Sequence, residues 1–135
     1  MNRMRKVLIA DDEVKVGQLV KRLIQWDRLG LTCIGLVTDG QTAYEKILSE
    51  SPDIVITDIR MPVLTGLEMI QKASEQGVKC HFIVVSGYKY FDYAQKALKY
   101  GVEDYLLKPI DEDELNRQLQ KIVAEEEPVS YTHLR

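Results

Sequence analysis

The stretch DIVITD, residues 53–58, gives the clearest indication of the fold of this chain. It places a short run of apolar and β-branched residues between two aspartates, a pattern typical of a strand that is buried on both faces. Such strands belong to parallel sheets, and α/β proteins collect their chemistry at the carboxyl ends of those strands. Asp58 therefore stands where a functional carboxylate is expected.

Short β-branched runs alternate with segments of helical periodicity along the whole chain. This alternation predicts five βα units and an α/β fold with a parallel sheet. The predicted strands are Lys6–Ala10, Thr32–Val37, Ile54–Thr57, Phe82–Val85 and Asp104–Leu107. The helical stripes are Val16, Leu19, Val20, Leu23 and Ile24; Ala43, Ile47 and Leu48; Leu67, Ile70 and Ala73; Phe91, Ala94 and Leu98; and Leu115, Leu119 and Ile122.

The chain length of 135 residues suits a single domain with one good core. We expect the domain to span residues 1–124. The remainder, EEEPVSYTHLR at 125–135, has an acidic triplet, a proline and no apolar stripe. It is predicted to be a linker stub or an expression-derived tail.

Composition excludes several classes of function. Lys and Arg number 18 against 21 Asp and Glu, a net charge of −3, so direct nucleic-acid binding by this segment is not expected. Cys33 and Cys80 lack the spacing of a zinc site and are predicted to be buried free thiols. The sequence contains neither a membrane-length apolar stretch nor a secretion signal, so we expect a cytoplasmic protein that does not enter a membrane.

Polar side chains follow four of the predicted strands. They are Asp11 and Asp12 after the first strand, Asp58 after the third, Ser86 after the fourth and Lys108 after the fifth. Carboxylates that converge on one point repel one another, and a bound cation is the simplest compensation. A small open site with oxygen ligands suits Mg²⁺, while a lysine and a hydroxyl suit phosphate oxygens. The pattern therefore predicts a phosphoacceptor aspartate with a magnesium site.

Each of these residues also has an ordinary structural explanation. The acids at 11–13 precede a helix and are suited to capping it. A lone lysine after a strand is usually a snorkelling surface residue, although a cis bond to Pro109 would fix its direction. Ser86 before Gly87 is a common turn pair. At the last helix, Asp111 followed by Glu114 predicts an acidic cap.

Taken together, the motifs resemble the receiver domain of response regulators in two-component systems. They are ADDE at 10–13, TDIRMP at 57–62, Gly66, SGY at 86–88 and YLLKP at 105–109, and the likeness covers about residues 5–124. The resemblance implies a flavodoxin-like (βα)5 doubly wound fold, with a five-stranded parallel sheet of order 2-1-3-4-5 like that of the chemotaxis regulator. Thr65 departs from the family pattern, which often has an acid before the glycine.

The resemblance also implies roles for the residues at the site. Asp58 would be the phosphorylated nucleophile. Asp12, Asp58 and the backbone carbonyl of Arg60 would bind Mg²⁺, and Asp11 would order the ion through water. A sensor histidine kinase would be the phosphoryl donor, and the domain would not be an enzyme beyond its own phosphorylation and dephosphorylation.

Three further residues would carry the response to phosphorylation in this family. Lys108 would pair with Asp58 or its phosphoryl group. Ser86 would bind a phosphoryl oxygen, and Tyr105 would turn inward as the aromatic partner of that switch. The changed surface would be the face formed by the fourth helix, the fifth strand and the fifth helix, through which we expect a homodimer.

A narrower resemblance lies in IQWDRLGL at 24–31 and SGYKYFDYAQKAL at 86–98. Both are similar to receivers that precede an AraC-type helix-turn-helix domain. The parent protein would then control transcription and bind DNA through an output domain absent from this chain. The tyrosines at 88, 90, 93 and 100 suit either partial packing or an output or dimer surface.

Two other classes of protein share features with the receiver. A haloacid-dehalogenase-type phosphatase also uses an aspartyl phosphate, magnesium and a lysine, but its nucleophile comes first in the chain and its acidic pair last. A flavodoxin-like flavin binder needs a phosphate-cradling loop after the first strand, where this chain has DDE. Turnover of a phosphate ester would favour the phosphatase.

Overall fold

A computed structural model describes residues 4–87 and 99–126, with Glu126 described by its backbone alone. Up to the fourth strand, its strands and helices follow the predicted alternation, with one additional short helix after the first. They are β1 Arg5–Ala10, α1 Val14–Leu23, α2 Trp26–Leu29, β2 Leu31–Val37, α3 Gly40–Glu50, β3 Ile54–Thr57, α4 Gly66–Glu75, β4 His81–Ser86, β5 Val102–Leu107 and α5 Glu112–Glu126.

The five strands form one parallel sheet in the order β2-β1-β3-β4-β5. This order confirms the predicted topology. The predicted strands are each present, and all but β3 are longer by one or two residues. Ser86 belongs to β4, where it pairs with Leu107, because the ladder with β5 continues past the apolar run. The sequence had placed this serine just after the strand.

The sheet is covered on both faces, and each face has its own apolar core. One core joins β-strand residues such as Ile56 to the helices α1 and α5. The other joins Val55 and its neighbours to α3 and α4. All four residues of β3 are buried, since the strand is central and doubly covered. Within the predicted helical stripes, Leu19 (38% exposed) and Leu48 (47% exposed) face solvent instead of the core.

A short helix that the sequence did not predict, α2, lies between α1 and β2. Its four residues are too few to show helical periodicity. The helix ends at Gly30, whose φ of 68° is left-handed. The Trp26 indole donates a hydrogen bond to the Lys21 carbonyl at 2.7 Å, which ties α2 back to α1.

Short polar side chains cap the amino ends of α3, α4 and α5, whereas α1 and α2 have no side-chain cap. Asp111 Oδ2 accepts from the Glu114 amide at 2.8 Å, which confirms the predicted cap of α5. Asp39 caps α3 by accepting from the Thr42 amide at 2.7 Å. Thr65 forms a reciprocal capping box with Glu68 at the start of α4. Thr65, which departs from the family pattern, therefore has a structural role as the cap of α4.

Both cysteines are free, and both are partly buried, so the prediction of fully buried thiols was wrong in degree. Burial raises the pKa of the Cys80 thiol to about 12, with a further contribution from Asp53.

Among the described residues, no helix is long and apolar enough to cross a membrane. The predicted stripe Phe91, Ala94 and Leu98, the tyrosines at 88, 90 and 93, and the end of the tail at 127–135 lie outside the described residues.

Candidate functional site

The predicted site residues meet at the carboxyl edge of the sheet. Asp11 follows β1 and Asp58 follows β3, and both are almost fully buried, with exposures of 5% and 7%. Lys108 follows β5 and reaches across β4 towards them. The three polar groups are brought together because β1, β3, β4 and β5 are parallel neighbours that end at the same level.

The Lys108 ammonium bridges the two buried carboxylates. Its Nζ lies 2.9 Å from Oδ2 of Asp58 and 3.1 Å from Oδ2 of Asp11, while the exposed Glu13 carboxylate is 4.0 Å away. The lysine is therefore not a snorkelling surface residue. A cis peptide bond joins it to Pro109, as the sequence suggested. One cation thus compensates two carboxylates that would otherwise repel each other.

The pKa values of the site follow from this crowding. Burial raises the pKa of Asp11, and the hydrogen bond from the Glu13 amide and the contact with Lys108 offset only part of that rise. Burial would lower the pKa of Lys108, but its hydrogen bonds to Asp58 and Asp11 outweigh burial and raise the pKa. Lys108 is therefore firmly protonated at neutral pH.

The second carboxylate oxygen of Asp58 is held by the backbone. Oδ1 accepts from the Ile59 amide at 2.7 Å and, more weakly, from the Arg60 amide at 3.4 Å. The backbone around Asp58 is fixed as well, since its amide donates to the Ala10 carbonyl at 2.9 Å and the Thr57 hydroxyl donates to the Asp58 carbonyl at 2.8 Å. The carboxylate is thus pre-oriented between amides on one side and Lys108 on the other.

The loop from Asp58 to Gly66 carries tight backbone contacts that the sequence did not reveal. The Gly66 amide donates to the Ile59 carbonyl at 2.7 Å. The Leu64 amide donates to the Pro62 carbonyl at 2.8 Å, which closes a γ-turn around Val63, whose φ is 72°. A positive φ is strained for a β-branched residue, and Val63 gave no sequence signal because valine is not a turn former.

An open cleft of about 530 Å³ lies above the carboxylates. It is lined by Asp12, Glu13, Asp58, Arg60, Gly87 and Lys108. Carboxylate oxygens of Asp11, Asp12 and Glu13 lie within 4.8 Å of one another. Oxygen donors beside an open, polar space are the ligand type and surroundings that Mg²⁺ prefers, because this ion keeps several of its waters. The residues present therefore fit a magnesium ion.

Ser86 and Tyr105 lie on the neighbouring strands β4 and β5. Ser86 is fully buried, and its carbonyl accepts from the Lys108 amide at 2.8 Å. Tyr105 is partly buried against the second core and pairs with Val84 across the sheet. The end of β4 that carries Ser86 is thus hydrogen-bonded to the backbone of Lys108.

Residues 7–120 match the response regulator receiver domain family. The chain belongs to this family, whose members are the receiver domains of two-component response regulators. The assignment confirms the expected fold and class and decides against the phosphatase and the flavin binder. Receiver domains are phosphoacceptor signalling domains and not conventional enzymes.

Several relatives have names that refer to transcription. The chain is 46% identical over 122 residues to the "Uncharacterized transcriptional regulatory protein YesN" of Bacillus subtilis, covering 90% of this chain and 33% of that protein. It is 35% identical over 120 residues to the transcriptional regulatory protein HptR of Staphylococcus aureus, covering 89% and 47%. The chain thus spans between a third and a half of the length of these curated relatives.

Solved structures give the same result for the fold. The REC domain of AraT, a response regulator from Geobacillus stearothermophilus, superposes with a TM-score of 0.84 at 36% identity, covering 90% of this chain and 95% of that one. The receiver domain of the response regulator NarL from Mycobacterium tuberculosis superposes at 0.82 with 21% identity, covering 91% and 98%, and supports the fold alone.

Proposed function

We propose that Asp58 accepts a phosphoryl group and that the domain signals through the change that follows. The observation that carries this proposal is the Lys108 ammonium at 2.9 Å from Asp58 Oδ2, beside an open acidic cleft. A carboxylate oxygen of Asp58 forms the new bond to phosphorus as the bond between phosphorus and the donor breaks. With a histidine kinase as donor, the leaving group is an imidazole nitrogen, which then takes up a proton.

The residues around Asp58 prepare it for this transfer. The amides of Ile59 and Arg60 hold Oδ1 and so fix the plane of the carboxylate. Lys108 is charged and already within hydrogen-bond distance, so it can follow the new phosphoryl oxygens without a large movement. This is electrostatic preorganisation, in which the compensating charge is in place before the reaction.

We propose Asp12, Asp58 and the backbone carbonyl of Arg60 as the ligands of Mg²⁺, with Asp11 acting through water. When bound, Mg²⁺ supplies charge neutralisation for carboxylate and phosphoryl oxygens. Asp11 suits the indirect role, because its Oδ2 is already engaged by Lys108 and its Oδ1 by the Glu13 amide. Asp12 is exposed and lines the cleft, so its carboxylate is open to an ion.

Ser86 and Tyr105 form the proposed switch. A phosphoryl group adds about two negative charges and three acceptor oxygens at the end of β3. The Ser86 hydroxyl binds one of these oxygens and draws the loop after β4 inward. Tyr105, on the adjacent strand, then turns towards the space that the loop leaves. After phosphorylation the inward conformation of this loop is favoured, because in that conformation the Ser86 hydroxyl donates to a new phosphoryl oxygen.

We also propose several features of the parent protein, some of which the names of its relatives support. The names of YesN and HptR support transcription control through an output domain outside this chain, and an AraC-type helix-turn-helix is the proposed form. We propose residues 1–124 as the receiver unit, with 125–135 as a linker or tail. A sensor histidine kinase as donor, a homodimer through the face of the fourth predicted helix, the fifth strand and the fifth predicted helix, and a cytoplasmic location complete the proposal.

Incubation with Mg²⁺ and acetyl phosphate, followed by intact-protein mass spectrometry, tests the phosphoacceptor. We expect one phosphoryl adduct on the wild type and on Asp113→Asn, a control at an exposed carboxylate of α5, and no adduct on Asp58→Ala. An undiminished adduct on Asp58→Ala would overturn the assignment. If the wild type gains no adduct and also fails to bind beryllofluoride, the site is not a phosphoacceptor.

A further inference from the structure

A second group of metal-ligating side chains lies at the opposite end of the sheet from Asp58. It consists of His81 at the start of β4, Glu103 at the start of β5 and Glu125 near the end of α5. One ligand atom from each residue lies within 4.8 Å of the other two. The parallel strands place their amino ends here, so this group is separate from the phosphoacceptor cleft.

An irregularity in the sheet brings Glu103 to His81. Phe82 pairs with Val102, but the next residue of β4, Ile83, pairs with Asp104, so Glu103 is passed over in the register. An extra residue of this kind re-aims its side chain relative to a regular ladder. The result is a contact of 3.2 Å between His81 Nδ1 and Glu103 Oε2, both of whose side chains are only partly exposed, at 23% and 30%.

The third member of the group comes from the last turn of α5. Leu119 and Ile122 form the apolar stripe by which this helix packs on the sheet, and Glu125 is three residues further along. A carboxylate at the carboxyl end of a helix is unfavourable, and the last turn of α5 contains no basic residue to offset it. A cation held at Glu125 would supply the missing positive charge.

We propose that His81, Glu103 and Glu125 bind a first-row divalent transition cation of the zinc class. With metal–ligand distances of about 2.0–2.1 Å, a tetrahedral zinc site has neighbouring ligand atoms roughly 3.3 Å apart. The separation of 3.2 Å between Nδ1 and Oε2 matches one edge of that tetrahedron. Glu125 is exposed and has a long side chain, so it closes the third position by rotation, and water fills the fourth.

The donor set also indicates which ions the group selects. Mg²⁺ prefers oxygen ligands alone, whereas imidazole nitrogen with carboxylate favours Zn²⁺ and its transition-metal neighbours. The two ends of the sheet would therefore hold different ions. A bound ion would also join the end of α5 to the start of β4 and β5, so it would stabilise the last turn of that helix.

Zinc titration against a competing fluorescent chelator, with Mg²⁺ in excess to occupy the acidic cleft, tests the site. We expect one tight Zn²⁺ per chain. The variants His81→Gln, Glu103→Gln and Glu125→Gln should each weaken binding by about tenfold or more. Cys80→Ser and Asp113→Asn should bind as the wild type does, because the thiol beside His81 and an acid at the far end of α5 are not ligands in this proposal.

Three outcomes would overturn the site: no tight Zn²⁺, binding that survives all three ligand variants, or binding lost in Cys80→Ser alone. Glu125→Gln changes an exposed side chain and keeps the test decisive if the His81 variant does not fold. The acetyl phosphate reaction should be unchanged in Glu125→Gln. Failure of the zinc site therefore leaves the phosphoacceptor proposal intact, and failure of the phosphoacceptor leaves the zinc titration interpretable.

Discussion

A β-carbon at Gly66 would lie 1.9 Å from the carbonyl oxygen of Asp58. No L side chain fits at that distance, and the obstacle is backbone that cannot move aside without displacing Asp58 itself. The start of α4 and the end of β3 are therefore in direct backbone contact. Only glycine allows the loop from Asp58 to close in this way.

We expect Gly66→Ala to lower the free energy of unfolding by about 1–3 kcal/mol or more, since the loop must shift to admit the methyl group. Urea denaturation measures this change. Gly17→Ala in α1 is the matched control, because a β-carbon there would lie at ordinary contact distances, 3.8 Å from the Leu36 side chain and 4.0 Å from that of Ile9. That control should be neutral or stabilising by up to about 1 kcal/mol. Equal effects of the two substitutions would contradict the backbone contact.

Lys108→Gln should make the thermal stability of the protein more dependent on Mg²⁺. Removal of the ammonium leaves the carboxylates of Asp11 and Asp58 without their shared cation, so a divalent ion should bind several-fold more tightly in the variant. We expect a larger rise in Tm on addition of MgCl2 than in the wild type. Lys121→Gln, an exposed lysine of α5, is the control. The same magnesium effect in all three proteins would show that Lys108 does not compensate the site.

Asn116 is a buried polar residue of α5 that holds the junction of α1 and α2. Its amide nitrogen donates to the Leu23 carbonyl at 2.9 Å, and its oxygen accepts from the Gln25 amide at 2.9 Å. We expect Asn116→Leu to cost about 1–3 kcal/mol, because these backbone groups lose their partners.

Chemical denaturation compares this variant with Gln120→Ala, one turn further along α5. Gln120 is exposed and accepts only a surface hydrogen bond from Arg28 at 3.1 Å, so its loss should change stability by no more than about 0.5 kcal/mol. A stability of Asn116→Leu equal to that of the wild type would mean that solvent satisfies the freed groups.

Asp39 should contribute to the pH dependence of stability. Hydrogen bonds from Thr42, first from its amide and then from its hydroxyl, hold the pKa of Asp39 below its usual 3.8. The contribution is therefore present above the unfolded pKa and is lost as the pH falls through the lower folded pKa. Asp39→Asn keeps a side-chain cap but has no carboxylate to titrate.

We expect the wild type to lose stability relative to Asp39→Asn when the pH is lowered from about 5 to below the folded pKa of the cap. Unfolding free energies from urea titrations at a series of pH values measure the difference. A difference that stays constant with pH would exclude a titrating cap at this position.

The sequence predicts the order of the described strands and nearly all of the described helices. Strand β3 has the predicted bounds and the other strands differ by one or two residues, because β-branched runs and helical stripes are local signals. The short helix α2 was missed, since four residues cannot show a period. Leu19 and Leu48 were assigned to the core because periodicity marks a face of a helix and not the width of its buried stripe.

The sequence predicts the members of the candidate site, and the family resemblance implies the pairing of Lys108 with Asp58, which the structure shows at 2.9 Å. The other contacts of the site were not predicted. The residue pattern alone indicates that Asp11, Asp58 and Lys108 end parallel strands, because βα alternation places the carboxyl ends of the strands at one edge of the sheet. Three relationships become visible only in the folded chain: one ammonium bridges both buried carboxylates, Gly66 admits the Asp58 carbonyl, and an irregular pairing turns Glu103 towards His81. Those relationships depend on distances between segments that are far apart in the chain. Packing sets such distances, whereas propensity and periodicity report only on neighbouring residues.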